Sequence, residues 1–421
     1  MHSKPPVRRA AVLLLFTLVA AVPSRGDAAQ VWTTIATEKI RPSAAARSET
    51  AARISAARNE FEAFQVVVTG AATNVRATAT ALSGPGTIET VRLYREAHLN
   101  LRYASAVDGG TGWWPDALVP DVDEIAGEKR NAFPFAVLAN ESKAIWVEVF
   151  VPAGAAPGSY TGEVRVTWDG GAATVPVTLT VWPFTLPSES SLKTAFGLHY
   201  GALPSAHGVS GDAFAALRAR YGKMGLDHRL TLSKIDDGNR DLDHYASFHG
   251  PALDGAAGTA LEGARMGAVQ FMGGSGEYAA WAQFFRGKGW FDRMFQYTCD
   301  EPPITCAWSD IPARAKVAKA ADPEFRTLVT TSVQEATANG VLDSIDILVP
   351  VINYLHDKSG QKFAGDQRAK YDAFLAKGPR KEVWSYQSCM SHGCGGTVNM
   401  GSPSESDRYF TGWPSYMIDA S

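Results

Sequence analysis

The stretch "RMFQYTCDEPP" runs from apolar and aromatic residues onto two adjacent acids, Asp300 and Glu301, and then onto Pro302 and Pro303. A double proline cannot continue a strand, so the acids stand at a strand exit. Acids at such a place can move protons, orient an N–H group or stabilise a developing positive charge. Glycoside cleavage commonly uses two carboxyls, about 5 Å apart when configuration is retained and further apart when it inverts. Neighbouring residues suit neither spacing. They suit a third scheme, in which the sugar's own 2-acetamido oxygen attacks the anomeric carbon. Asp300 then orients the acetamido N–H and stabilises the oxazolinium ring. Glu301 protonates the leaving oxygen and later takes a proton from water. A competing reading makes both acids a plain turn before a helix, whose N-terminus favours negative charge.

Such a pair needs a rigid frame. After "WPFTLPSESS", the segments "LKTAFGLHY", "LTLSK", "GAVQFMG", "RMFQYTC", "TLVTTS", "DILVPVINYL" and "EVWSYQS" read as strands. "GDAFAALRARYGKMG", "EYAAWAQFFRGKG", "SDIPARAKVAKAAD" and "FAGDQRAKYDAFLAKG" read as helices between them. Phe214, Leu217 and Tyr221 share one face of the first helix; Asp310 is the expected cap of the third, with Pro312 in its first turn. Strand–helix alternation predicts a parallel sheet, and this many units predict a (β/α)8 TIM-like barrel. Seven strands can be counted before "GWPSYMIDAS", so the eighth is missing and the barrel is expected to be truncated at its C-terminus. Barrel active sites lie at the C-terminal strand ends. Those ends read His199-Tyr200, Asp300-Glu301, Asn353-Tyr354 and Tyr386-Gln387. The residues around the two acids, with Trp384 and Trp413 as further aromatic faces, are the expected substrate-binding set. Each aromatic also has an ordinary reading as packing.

From Val31 to Pro187 the period is two. "FQVVVTG", "VRATATAL", "AIWVEVFVP", "GEVRVTWDG" and "VPVTLTVWPF" are short β-branched runs separated by Gly, Pro, Asn or Asp. Their spacing predicts an antiparallel β-sandwich. "VPAGAAPGSYTGEV" reads as a strand, a Pro/Gly turn and a returning strand.

Residues 1–28 read as a signal peptide: basic Lys4, Arg8 and Arg9, an apolar run from Ala10 to Val22, and small-x-small at Gly26-Asp27-Ala28. That run is too short to span a bilayer, and no later segment is apolar enough to do so. A secreted or periplasmic protein is expected, with a sandwich over 29–187 and a catalytic barrel domain over 188–421. With 40 basic and 43 acidic residues and no basic tract, the chain lacks the footprint of a nucleic-acid binder. The four cysteines allow three pairings. Cys299–Cys306 and Cys389–Cys394 are favoured, since each pins a short loop after a strand. Cys389, His392 and Cys394 offer only three zinc ligands in an oxidising compartment, so no metal is expected. "DDGNRDLDH" lacks the order of a calcium loop. No cofactor is expected.

"NEFEAFQVVV", "VPAGAAPGSYTGEV", "YTCDEPP" and "WSYQSCMSHGC…GWPSYMID" together resemble glycoside hydrolase family 123 and its bacterial relatives long described as a domain of unknown function. The resemblance spans nearly the whole mature chain in order. It implies a β-sandwich before a (β/α)8 barrel, and removal of terminal β-linked N-acetylgalactosamine from a glycan by substrate-assisted retention. It implies Asp300 as the acetamido-orienting residue and Glu301 as the acid/base. Tyr386 is the choice for a hydroxyl holding the acetamido oxygen. The alternative function is a carbohydrate-binding protein without turnover, or an inactive truncated relative.

Overall fold

The structure, a computed structural model, describes residues 29–103, 110–197, 203–234, 239–355, 357–360, 362–386 and 418–419. Between Gln30 and Thr185 the period-two runs form two sheets. The five-stranded sheet has the order Gln30–Ile35, Glu60–Thr69, Ser142–Val151, Val91–Leu101, Gly112–Pro120, all antiparallel. The seven-stranded sheet runs Ala52–Arg58, Gly171–Thr185, Gly158–Trp168, Ala72–Ala79, Phe135–Val137, with Leu82–Ser83 and Thr87–Ile88 at its side. Its first two strands pair in parallel, which departs from the all-antiparallel expectation. Alternate residues of both sheets make one core: Phe64, Val66, Ile145, Val147 and Val149 face Tyr160, Val164, Val175, Val177 and Leu179. Each fully buried side chain of this kind contributes about 1.5–3 kcal/mol.

Two connections explain how the sheets are joined. The returning strand of "VPAGAAPGSYTGEV" does not pair with Ser142–Val151; it enters the other sheet, so the turn is a crossover and not a hairpin. The Tyr160 hydroxyl donates to Ala156 O at 2.8 Å and fixes that crossover. A tight hairpin follows at Asp169-Gly170, between Trp168 and Gly171, with Gly170 taking the left-handed φ of 84° that glycine tolerates.

Glu96, on Val91–Leu101, is buried under this sandwich with its Oε2 unpartnered. Burial pushes its carboxyl up to about 7, against a smaller opposing pull from Lys39. The folded state therefore holds a proton that the unfolded chain releases near pH 4.3. Stability is full below that value, falls as pH rises toward 7, and stays reduced above it. Glu96→Gln is expected to raise stability by about 2 kcal/mol at pH 8 and to change little at pH 4. Urea titrations at the two pH values check it.

Among the described residues no strand before Thr185 pairs with one after it. The later sheet runs Val269–Gln270, Met294–Cys299, Arg326–Val329, Ile347–Leu348, Glu382–Ser385, then Ile418–Asp419. The first five are parallel and the last is antiparallel. Phe196 N donates to Thr231 O at 2.9 Å and Gln270 N to Ser233 O at 3.0 Å, so the two expected early strands extend the ladder as short segments. Among the described residues this ladder does not close on itself, as an incomplete barrel lacking a strand would not. No backbone pair among them joins the segment at Thr194–Gly197 to Glu382–Ser385; the two approach through side chains, Lys193 Nζ to Glu382 Oε1 at 2.7 Å. The edge of Glu382–Ser385 is taken by an antiparallel pair where a barrel has a parallel neighbour.

Helices Gly211–Asp227, Tyr278–Lys288, Asp310–Ala321 and Gln367–Leu375 stand where the periodicity predicts them. In the first, the buried stripe holds Ala215, Leu217, Arg218 and Leu226, one position round from the expected face. Asp310 is the first helical residue and not the cap; its Oδ2 accepts from Ala307 N. Helix Leu242–Asp254 was not expected from the sequence. Phe61 and Phe150, with ring centroids 4.6 Å apart, pack against the hydrophobic cluster that also contains Tyr245, Trp281, Phe285 and Phe325.

Candidate active site

One face of the later sheet carries Phe295, Leu328, Ile347, Val349 and Trp384, closed over by Ala195 and Ala268. The other face packs helices: Met294 lies with Trp281 and Phe285, and Thr298 O accepts from Arg314 Nη1 at 2.8 Å. Strand alternation then places the next inward layer two residues on. It replaces carbon with hydroxyl. Tyr297 follows Phe295, Thr330 follows Leu328, and Tyr386 follows Trp384.

The register between Met294–Cys299 and Arg326–Val329 slips between Tyr297 and Cys299. That slip turns Cys299 to the helix side, where it packs with Ile311 and Val333 and is bonded to Cys306. The bridge closes the loop that holds both acids, and the Thr305 hydroxyl donates to Asp300 O within it. Asp300 is exposed and Glu301 half-buried.

The three hydroxyls converge on the acids. Tyr297 Oη donates to Asp300 Oδ1 at 2.7 Å, and Thr330 Oγ1 donates to the same oxygen at 2.9 Å. Thr330 Oγ1 also accepts from Glu301 N at 2.6 Å. Tyr386 Oη donates to Glu301 Oε1 at 2.5 Å. Glu301 sits at φ 43°, in the left-handed region that side-chain-bearing residues rarely occupy. Such a conformation persists where surrounding bonds fix it; here they are Glu301 N to Thr330 and Ile304 N to Glu301 O at 2.8 Å. Burial, then the bond to Glu301, holds the Tyr386 phenol far above its ordinary value. Burial, then the bond to Asp300, does the same for Tyr297. Both remain donors across any working pH.

Of the expected binding residues, His199, Tyr200, Gln387 and Trp413 lie outside the described residues, as do Cys389, His392 and Cys394. Asn353 and Tyr354 fall in the single turn Ile352–Leu355. Tyr354 stacks on Phe363 with ring centroids 4.0 Å apart. Burial raises its phenol, with smaller contributions from Glu335 and Glu301. Trp384 does not face substrate: it is 0% exposed, edge-on to Phe295, with its indole N–H on Glu382 Oε2 at 2.8 Å. It supports the layer beneath Tyr386. Tyr297 and Thr330 were not singled out from the sequence. Among the described residues no group of three or more His, Cys, Asp or Glu side chains is placed to hold a metal ion.

Residues 28–168 match the family model of the glycoside hydrolase 123 N-terminal domain. No curated protein sequence matches the chain. Among solved structures, a family 123 glycoside hydrolase from Clostridium perfringens, described for glycolipid glycan hydrolysis, is similar with a TM-score of 0.59 at 14% identity, over 86% of this chain and 72% of that one. A β-glucuronidase from Parabacteroides merdae reaches a TM-score of 0.22 at 10% identity over 69% of this chain and 34% of its own, too low to carry an argument. A type I cohesin from Pseudobacteroides cellulosolvens, at 0.13 and 10% over 33% and 93%, carries none either. Residues 28–168 thus match the N-terminal domain of glycoside hydrolase family 123, and most of the chain shares the fold of the clostridial enzyme of that family.

Proposed function

We propose that the protein is a glycoside hydrolase that removes terminal β-linked N-acetylhexosamine, N-acetylgalactosamine being the first candidate, by a retaining, substrate-assisted mechanism. The observation that carries this reading is the division of labour at the strand exit. Asp300 is held through one carboxylate oxygen by two hydroxyl donors, which leaves Oδ2 to accept an N–H. Glu301 is held through Oε1, which leaves Oε2 to carry the mobile proton.

The steps follow from that arrangement. The acetamido carbonyl oxygen attacks the anomeric carbon while the bond to the leaving oxygen breaks. Glu301 gives its proton to that oxygen, and Asp300 accepts a hydrogen bond from the N–H as positive charge spreads over the oxazolinium ring. Water then adds to the anomeric carbon, the Glu301 carboxylate takes its proton, and the ring opens with configuration retained. Tyr386 spends its hydrogen on Glu301 in this structure, so a role on the acetamido oxygen requires that bond to exchange.

The reading extends to a barrel-type catalytic domain over 188–421, supported by the ladder order and the Lys193–Glu382 approach. Export rests on residues 1–28. A glycan is the partner; among the described residues no helix is long and apolar enough to cross a membrane.

An aryl N-acetyl-β-galactosaminide should release its nitrophenol, and Glu301→Gln should slow turnover by about 10²-fold or more. The same aglycone on a sugar bearing a 2-hydroxyl should react at least about 10²-fold more slowly, since the internal nucleophile is gone. Equal rates on the two sugars would refute assistance and leave Asp300 needing another role.

A further inference from the structure

We propose that Thr330 is the positioning residue that makes two adjacent acids act differently. The inference rests on the substrate-assisted reading above. Its basis is a count of hydrogens at one buried oxygen. Thr330 Oγ1, on a residue only 4% exposed, touches both members of the pair. Glu301 N has a hydrogen to give and nothing with which to accept, so at 2.6 Å the threonine oxygen is the acceptor there. The single hydroxyl hydrogen is then free for Asp300 Oδ1 at 2.9 Å. Tyr297 sends a second hydrogen to that same oxygen. Two donors on Oδ1 fix the plane of the carboxylate and leave Oδ2 as the acceptor offered to substrate. The site thereby selects a group that donates, an amide N–H, over one that can only accept.

The same hydroxyl acts on the neighbour in another way. By accepting from Glu301 N it holds the backbone at φ 43°, and that backbone aims the side chain away from Asp300 toward Tyr386. One oxygen on the adjacent strand therefore sets the direction of both carboxylates. Among the described residues the side chains bonded to the two carboxylates are Tyr297, just before them, and Thr330 and Tyr386, each just past the end of another strand. None of these described groups is a cation, and what they supply to the pair is hydroxyl donors.

Thr330→Val keeps the shape and removes the hydroxyl; Thr330→Ser keeps the hydroxyl. Four quantities separate positioning from general support: kcat and KM on an aryl N-acetyl-β-galactosaminide, affinity for a thiazoline mimic of the ring-closed intermediate, affinity for free N-acetylgalactosamine, and the thermal melt. Thr330→Val is expected to lower kcat by about 10²-fold, as misplacement of a reacting group does, with KM nearly unchanged. Thiazoline affinity should fall in parallel while the free sugar and the melt move little. Thr330→Ser should return kcat to within a few-fold of the unsubstituted protein. In Asp300→Ala, adding Thr330→Val should cost much less, because the two act as one unit. Equal kcat in the valine and serine variants overturns the positioning role, as does a valine variant that loses thiazoline and free sugar alike. An unsubstituted protein that neither cleaves the acetamido glycoside nor binds the thiazoline sinks the reading of the site itself, and the role of Thr330 with it.

Discussion

Glu301→Ala is expected to release dinitrophenol from a dinitrophenyl N-acetyl-β-galactosaminide in the first turnover at close to the unsubstituted rate, while Asp300→Ala stays slow on the same substrate. The two acids adjoin in sequence, yet their losses differ in kind. Glu301 supplies a proton to the leaving oxygen, a contribution usually worth about 10²–10⁴-fold. Dinitrophenolate departs without that proton, so the first step no longer needs Glu301. Asp300 holds the attacking group and the charge on the ring, and no leaving group replaces that. Its loss should cost about 10²–10³-fold on every aglycone, the scale for removing a fixed electrostatic stabiliser. Azide should intercept the oxazolinium in Glu301→Ala and give a β-glycosyl azide, because attack opposite the ring oxygen retains configuration. Recovery of Asp300→Ala by dinitrophenol, or an α-azide from Glu301→Ala, contradicts these roles.

The second large effect concerns stability and lies at the other end of the same strands. Asp346 has its side chain 8% exposed and accepts from Lys319 and Lys381 at 2.6 and 3.1 Å, and from Thr327 Oγ1 at 3.0 Å. Burial alone pushes its carboxyl up; the Lys319 bond and the Lys381 charge outweigh that and hold it below the ordinary aspartate range. A depressed carboxylate contributes stability above its unfolded value and loses it as pH falls through the folded one, so the loss belongs below pH about 4. Asp346→Asn leaves Lys381, 13% exposed, without its counter-charge. The expected cost at pH 7 is about 3 kcal/mol, the low end for a broken buried pair because Lys319 is a third exposed. Denaturant titrations should show the gap between variant and parent narrowing steadily as pH falls below about 4. A gap that stays constant over that range would mean the lost shape, and not the lost charge, is responsible.

Much of this was legible in the residues. The period-two runs marked most of the long sandwich strands, and the strand–helix grammar after Pro187 placed four helices and the exit at Asp300-Glu301. Alternation also contained the hydroxyl layer: "FQY", "LVT" and "WSY" each pass from a core residue to a hydroxyl two places on. Thr330 went unnoticed because the end of "TLVTTS" was not read alongside the other strand ends, although the same rule applies to it. Trp384 was misassigned for a physical reason. Val383, Trp384 and Ser385 are all buried, so this strand shows no alternation that could separate packing from binding. Helix Leu242–Asp254 hid behind Pro251 and two histidines, yet its caps were present: Asp241 accepts from His244 N at 2.7 Å, and Gly255 stands at φ 75°. The sheet crossover after Val151 could not be read, since a Pro/Gly turn looks the same whether the next strand pairs back or crosses.

The parallel pair between Ala52–Arg58 and Gly171–Thr185 has a consequence for synthesis. Ala52 lies beside Val177, and Ala56 beside Val181. A ribosome delivers the first of these strands long before its neighbour exists. Until residues near Val181 emerge, Ala52–Arg58 has no partner on that side, and Ala52 and Ala56 have no complete core to enter. Chains generally close such long-range pairings late, after local hairpins have formed. The Asp169-Gly170 hairpin is therefore the natural nucleus, and the early strand docks onto it afterwards. A nascent chain arrested before about residue 180 should remain open to protease at the N-terminal strand, and one arrested well beyond it should not.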